Sequence, residues 1–152
     1  MTVSCSHLPS CFTRRSERGS STVELALLVP ALVVVLGLLV AGGRLWFART
    51  TVHEAAQTAS RTASLARSSS QASSEGTQAG RASLDTSGLR CATPAISVDT
   101  SAFEVPVGVP ATVRATITCS VPFGDVLLPG MPGSIALTGT GSSALDTYRV
   151  RQ

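Results

Sequence analysis

The sequence predicts an α+β membrane protein, in which a long N-terminal α-helix that spans a membrane and extends into a stalk precedes a small antiparallel β head. The first observation is the stretch from Leu25 to Gly43, which contains no charged residue. The second is a helical spacing of small apolar residues that continues to about residue 67. The third is the alternation of apolar and polar residues from Ala111 to Val121, which is typical of a strand with one buried face.

These patterns divide the 152 residues into four segments. We expect a basic cytoplasmic leader at 1–19, a transmembrane helix and helical stalk at 20–67, a Ser/Gly-rich linker at 68–89 and a β-rich extracytoplasmic head at 90–152. Charged residues make up 14% of the chain and the net charge is +3. Because the basic residues do not cluster on an aromatic-bearing segment, the sequence argues against a nucleic-acid partner.

The charge-free stretch from Leu25 to Gly43, called here the apolar segment, is predicted to cross the lipid bilayer. As an α-helix it would be about 28 Å long, close to the thickness of the hydrocarbon core. Arg14, Arg15 and Arg18 precede it and favour a cytoplasmic N-terminus. The sequence therefore predicts a single-pass protein of the cytoplasmic membrane, whose C-terminal head is extracytoplasmic.

Two other interpretations of the apolar segment remain open. A cleaved secretory signal has an apolar region of about 7–15 residues before a small-residue cut site, and Ala41 and Gly43 resemble such a site. The second interpretation is a plain single-span anchor. Neither explains why Glu24 stands at the head of the segment.

Glu24 is a carboxylate at the edge of the bilayer, where a charge is unfavourable unless it has a partner. A cut between Gly19 and Ser20 would create a free amine, and Glu24 would be the fifth residue of the shortened chain. Within one helix the carboxylate would lie about one turn from that amine, and between staggered subunits it would reach a neighbour's amine. Either pairing would lower the free energy of holding the charge beside lipid.

In these features the chain resembles the TadE-like proteins, minor pseudopilins of the tight-adherence (Flp) pilus system. The resemblance covers roughly residues 18 to 67. It comprises the small-residue start that leads to Glu24, a proline inside the helix at Pro30, and the Gly-Arg-Leu-Trp-Phe-Ala-Arg sequence of Gly43 to Arg49. The basic leader and the long apolar helix also resemble the class III signals of type IV pilin-like proteins.

The resemblance implies that a prepilin peptidase cleaves the leader after Gly19, where a side chain would obstruct the protease. It also implies a role in pilus assembly, with other pilin or pseudopilin subunits and an inner-membrane assembly platform as partners beside the lipid bilayer. The alternative is a single-pass or signal-peptide-bearing secreted binding module with no pilus role.

Beyond Arg44 the predicted helix carries a narrow seam of mostly small side chains. Its members are Leu45, Ala48, Val52, Ala55, Ala59 and Ala66. Such a seam allows close packing against another helix, in this chain or in a neighbouring subunit, although alanine's high helix propensity alone would also explain it. His53 has no second ligand at metal spacing and is predicted to be a surface residue. The polar stretch at 68–80 is predicted to be flexible.

The head is predicted to be a three-stranded meander. The strong strand at Ala111 to Val121 is flanked by weaker candidates at Ala95 to Val98 and Ser134 to Thr138. Three short strands bury little apolar area and need a covalent cross-link. A disulfide between Cys91 and Cys119 would supply about 3–4 kcal/mol in the oxidising compartment, whereas Cys5 and Cys11 would face the cytoplasm.

The sequence favours a structural protein over an enzyme. The head contains no His or Lys, and its acids are isolated from one another, at Asp99, Glu104, Asp125 and Asp146. A nucleophile with a base, or a paired set of carboxylates, is therefore not predicted. We expect no catalytic residues, no metal and no cofactor.

Overall fold

The computed structural model describes residues 18–126, 130 and 132–148. For residues 18–22 and 125–126 it describes the backbone only. The elements in chain order are α1 (Arg18–Leu65), α2 (Ser69–Thr86), β1 (Ala95–Asp99), a 3-10 turn (Ser101–Phe103), β2 (Ala111–Pro122), α3 (Phe123–Val126) and β3 (Ser134–Leu145). A long helix followed by a small sheet confirms the predicted α+β class. Most of the predicted leader, together with Cys5 and Cys11, lies outside the described residues.

The chain divides into two compact units, Met1–Gly37 and Leu38–Gln152. The described part of the first unit is helical and continues through Pro30 without a break in α1. Its described side chains, from Val23 onward, are all exposed. This unit therefore contributes helix but no internal core over the residues described.

The second unit contains a three-stranded antiparallel sheet in the order β1-β2-β3. On central strand β2, Thr118 lies opposite Ala95 of β1 and Thr138 of β3. All three predicted strands are present. β3 is the exception in length, because it continues to Leu145, well past the predicted end at Thr138.

The buried face of the sheet packs against the alanine-rich face of α1. One core cluster joins Ala48, Val52, Ala55 and Ala56 of the helix to apolar residues of α2, β2 and β3. The sheet side of that cluster comprises Ile117, Cys119, Val121 and Leu137. The seam predicted from the sequence is therefore buried within this chain, except for Leu45, which is half-buried.

Two glycines of β3 allow the strand to approach the backbone of α1. A Cβ at position 139 would lie 2.6 Å from the carbonyl oxygen of Val52, and one at position 141 would overlap the carbonyl of Ala56. Side chains are excluded at both positions, so only glycine fits without moving the helix. His53 Nδ1 donates a hydrogen bond to the carbonyl oxygen of Thr140 over 3.2 Å, at the same contact.

The prediction that the polar stretch at 68–80 is flexible is wrong, because residues Ser69–Thr86 form helix α2. Ser68 caps its first turn by accepting a hydrogen bond from the backbone N–H of Gln71. Four residues spaced by four, Ala72, Gly76, Gly80 and Leu84, are buried along one side. The composition is polar and rich in glycine, yet this side has a regular helical period.

The two glycines of α2 allow close packing that stabilises this helix despite its low helix propensity. A Cβ at position 76 would lie 3.1 Å from both the carbonyl oxygen of Ala59 and the Cβ of Ala63. At position 80 it would lie 3.1 Å from Cδ1 of Ile117. Helix α2 thus packs closely against both α1 and the sheet, and tertiary contact compensates for its low intrinsic helix propensity.

A disulfide joins Cys91 to Cys119, with Cα atoms 5.3 Å apart. These are the partners that the sequence predicts. Cys119 is fully buried on β2, whereas Cys91 lies in the segment between α2 and β1. The bond therefore ties the end of the α2 segment to the centre of the sheet.

Candidate functional site

The apolar part of α1 is the most distinctive candidate surface. The helical stretch Val23–Leu65 contains a window with a mean hydropathy of 2.8, none of it buried within the protein. Leu27 and Leu38 are 70% and 68% exposed, and their apolar neighbours are similarly uncovered. A helix that is apolar on every side requires lipid or other apolar helices around it. This single N-terminal helix indicates membrane anchoring.

The predicted processing residues lie at the start of this helix. Gly19 and Ser20 belong to the first turn of α1, and their side chains are outside the description. Glu24 is exposed one turn further along, with no ion pair to the described residues. Residues four apart on a helix share a face, so the backbone places position 20 and Glu24 on the same side. The structure does not supply a partner for Glu24 from its described residues, and the pairing with a new amine remains a prediction.

The other end of the apolar segment has the character of a membrane interface. Trp46 and Phe47 are 75% and 61% exposed, and Arg44 and Arg49 are also exposed. Aromatic rings and arginines are enriched at the level of the lipid headgroups. Ala48, which follows directly, is buried in the core of the second unit. Along α1, exposure on all sides therefore gives way over about two turns, through the half-buried Ala41 and Leu45, to burial along one face.

Residues 19–61 match the family model described as TadE-like protein. Over these residues the chain is similar to TadE-like proteins. The match begins at the predicted cut, includes Glu24 and the interface residues, and ends within the part of α1 that packs on the sheet. TadE-like proteins belong to the tight-adherence pilus system and are typically structural rather than catalytic. No curated protein and no solved structure matches the chain.

Helix α2 and the sheet lie outside the TadE-like match, and their polar groups have local roles. The pKa of Asp99 is lowered, first by the backbone N–H of Ser101, then by the Ser101 hydroxyl and by the charge of Arg114. This exposed carboxylate accepts the Ser101 N–H over 3.0 Å and begins the 3-10 turn. Asp146 Oδ1 accepts the N–H of Tyr148 over 3.0 Å in the same way. Both contacts organise turns.

Metal-binding clusters are not found among the described residues. No three of the His, Cys, Asp and Glu side chains in that part of the chain lie close enough to hold a metal ion. His53 is exposed, as predicted, but its bond to Thr140 fixes α1 against β3. This contact is not predictable from the sequence, because nothing there pairs positions so far apart. Helix α2 was also not predicted, although the Ser68-to-Gln71 capping spacing and the four-residue apolar period indicate it.

Proposed function

We propose that this chain is a pilin-like subunit of tight-adherence (Flp) pilus assembly, held in the cytoplasmic membrane by α1. The TadE-like match over residues 19–61 carries the proposal. It is supported by the overlap of that match with the apolar segment of α1, which is exposed on all sides. Aromatic and arginine side chains typical of a membrane interface follow that segment. The subunit contributes packing surfaces, with no role as a catalyst.

In this proposal a prepilin peptidase removes residues 1–19, and the mature chain begins at Ser20. The N-terminus is cytoplasmic, the second unit is extracytoplasmic, and the Cys91–Cys119 disulfide forms on the oxidising side. Glu24 then neutralises an amine, either its own or that of an adjacent pilin or pseudopilin. The inner-membrane assembly platform receives the processed subunit.

The processing step is tested by intact mass and N-terminal sequencing of the full chain, expressed with and without the peptidase. We expect a start at Ser20 only when the peptidase is present, and loss of that product in Gly19→Leu. A start near Arg44 would instead indicate an ordinary secretory signal and a released binding module. A retained Met1 beside an active peptidase would indicate a plain anchor, and either result would refute the proposal.

The role of Glu24 is tested separately by Glu24→Val. We expect cleavage to continue but co-purification with the other pilus subunits to fall to background, because the amine loses its counter-charge. Glu54→Val is the matched control, since Glu54 is an exposed glutamate on the same helix but lies well beyond the apolar segment, whereas Glu24 directly precedes it. Equal recovery of partners by the wild type and Glu24→Val would contradict the pairing.

A further inference from the structure

A surface cleft of about 680 Å³ lies within the second unit, at the level where α1 leaves its apolar segment. Helix α1 lines one side with Val40, Arg44 and Phe47. The segment that follows α2 lines the other side with Leu89 and Arg90. Val121 of β2 also lines it, so the cleft is formed by three parts of the chain that only the fold brings together.

The charged groups of this cleft are both cationic. Arg44 and Arg90 are exposed, and neither guanidinium has a hydrogen bond or ion pair to the described part of the chain. The described residues that line the cleft include no Asp or Glu. Guanidinium groups bind phosphate through paired N–H donors, and two unpartnered ones facing the same space favour an anion there.

The remaining walls are largely apolar, and one of them belongs to the membrane-embedded helix. Val40 lies in the apolar segment, one helical turn or about 6 Å before Arg44. Leu89, Phe47 and Val121 add apolar surface around the two arginines. A ligand that fits this arrangement has an anionic group at the headgroup level and hydrocarbon beside Val40.

We propose that the cleft binds an anionic phospholipid, with Arg44 and Arg90 holding its headgroup phosphate. The lipid comes from the leaflet at the Arg44 end of the apolar segment, and its acyl chain lies along Val40. Two cationic groups favour a headgroup with net negative charge over a zwitterionic one. The loop after α2 is thereby held at the surface of the bilayer. The inference rests on membrane anchoring but requires neither cleavage at Gly19 nor pilus assembly.

The test uses the full-length protein in a mild detergent, with lipid binding followed by native mass spectrometry. The probes are phosphatidylglycerol, phosphatidylcholine with the same acyl chains, and inorganic phosphate. We expect phosphatidylglycerol to bind more tightly than phosphatidylcholine. Both Arg44→Gln and Arg90→Gln should weaken that binding about tenfold, equivalent to about 1.4 kcal/mol.

Arg49→Gln is the matched control, because Arg49 is exposed near the same interface but does not line the cleft. It removes the same charge and should change affinity less than about twofold, well below the tenfold change of 1.4 kcal/mol. Circular dichroism and an intact Cys91–Cys119 bond verify that each variant is folded. An equal loss of phosphatidylglycerol affinity in all three variants would indicate non-specific attraction and overturn the site. An unchanged affinity in Arg90→Gln would also overturn it.

The phosphate arm separates a lipid site from a simple anion site. Millimolar inorganic phosphate should leave phosphatidylglycerol binding unchanged, because it lacks the hydrocarbon that contacts Val40. Displacement of the lipid by phosphate would overturn the lipid assignment. The start of the mature chain is measured on the same samples, so failure of lipid binding is distinguishable from failure of the processing proposal.

Discussion

The close approach between β3 and α1 is tested most directly by Gly139→Ala. The added methyl group would lie 2.6 Å from the Val52 carbonyl oxygen and 2.8 Å from the backbone nitrogen of His53. Favourable contacts between heavy atoms begin at about 3.5 Å, so the helix or the strand must move by roughly 1 Å. Both obstacles are backbone atoms, which cannot turn aside as a side chain can.

Two opposing effects decide the size of the change. Overfilling a packed core destabilises by about 1–3 kcal/mol, and the upper part of that range applies because the clash is with a helix backbone. Replacing glycine also restricts the unfolded chain, which stabilises by about 0.4–1 kcal/mol. We expect a net loss of about 2 kcal/mol in the free energy of unfolding. At about 4 °C per kcal/mol, the melting temperature should fall by about 8 °C.

The assay is differential scanning calorimetry of the full chain in detergent, with the disulfide intact. Ser142→Ala is the control, because Ser142 is exposed on the opposite face of β3. Ser142→Ala should change the free energy of unfolding by no more than about 0.5 kcal/mol, as other surface substitutions do. A Gly139→Ala protein that melts together with this control would refute the direct packing of β3 on α1.

Two further predictions concern the disulfide and α2. Replacing Cys91 and Cys119 together by Ala should lower the free energy of unfolding by about 3–4 kcal/mol, because the bond closes a loop with a sequence separation of 28. Denaturant titration measures this loss, with the Cys5→Ala, Cys11→Ala double variant as the control. The prediction would be contradicted if adding a reductant left the free energy of unfolding of the wild type unchanged. Ser68→Ala should lower the free energy of unfolding by about 1 kcal/mol, because it removes the hydroxyl that caps α2. Hydrogen exchange should show protected amides from Ala72 to Leu84, whereas free exchange there would restore the linker interpretation.

The features predicted well from the sequence are those whose signal is local. The apolar segment is recognisable because a run without charge has few stable environments other than lipid. Strand β2 is recognisable because its alternation matches the two faces of a sheet, and Val113, Ile117 and Val121 are indeed buried. Cys91 and Cys119 could be paired because the chain offers one pair on the predicted oxidising side.

The features predicted poorly depend on contacts between distant segments. The Ser/Gly-rich composition of 68–89 favours a flexible chain when it is considered alone. In the folded protein the small size of Gly76 and Gly80 allows α2 to lie within contact distance of Ala59, Ala63 and Ile117. The same residue type that indicates flexibility in a sequence therefore indicates close packing in the structure.

By itself the sequence determined the apolar, membrane-anchoring character of α1, the strand pattern of β2 and the likeness of residues 19–61 to TadE-like proteins, since hydrophobicity, period and motif are properties of consecutive residues. Only the tertiary structure decided that α2 is a helix and that β3 runs to Leu145. It also decided that Arg44 and Arg90 share one cleft. The physical reason is that glycine and alanine carry little conformational signal of their own, and their effect depends on which backbone comes close enough to use the space they leave.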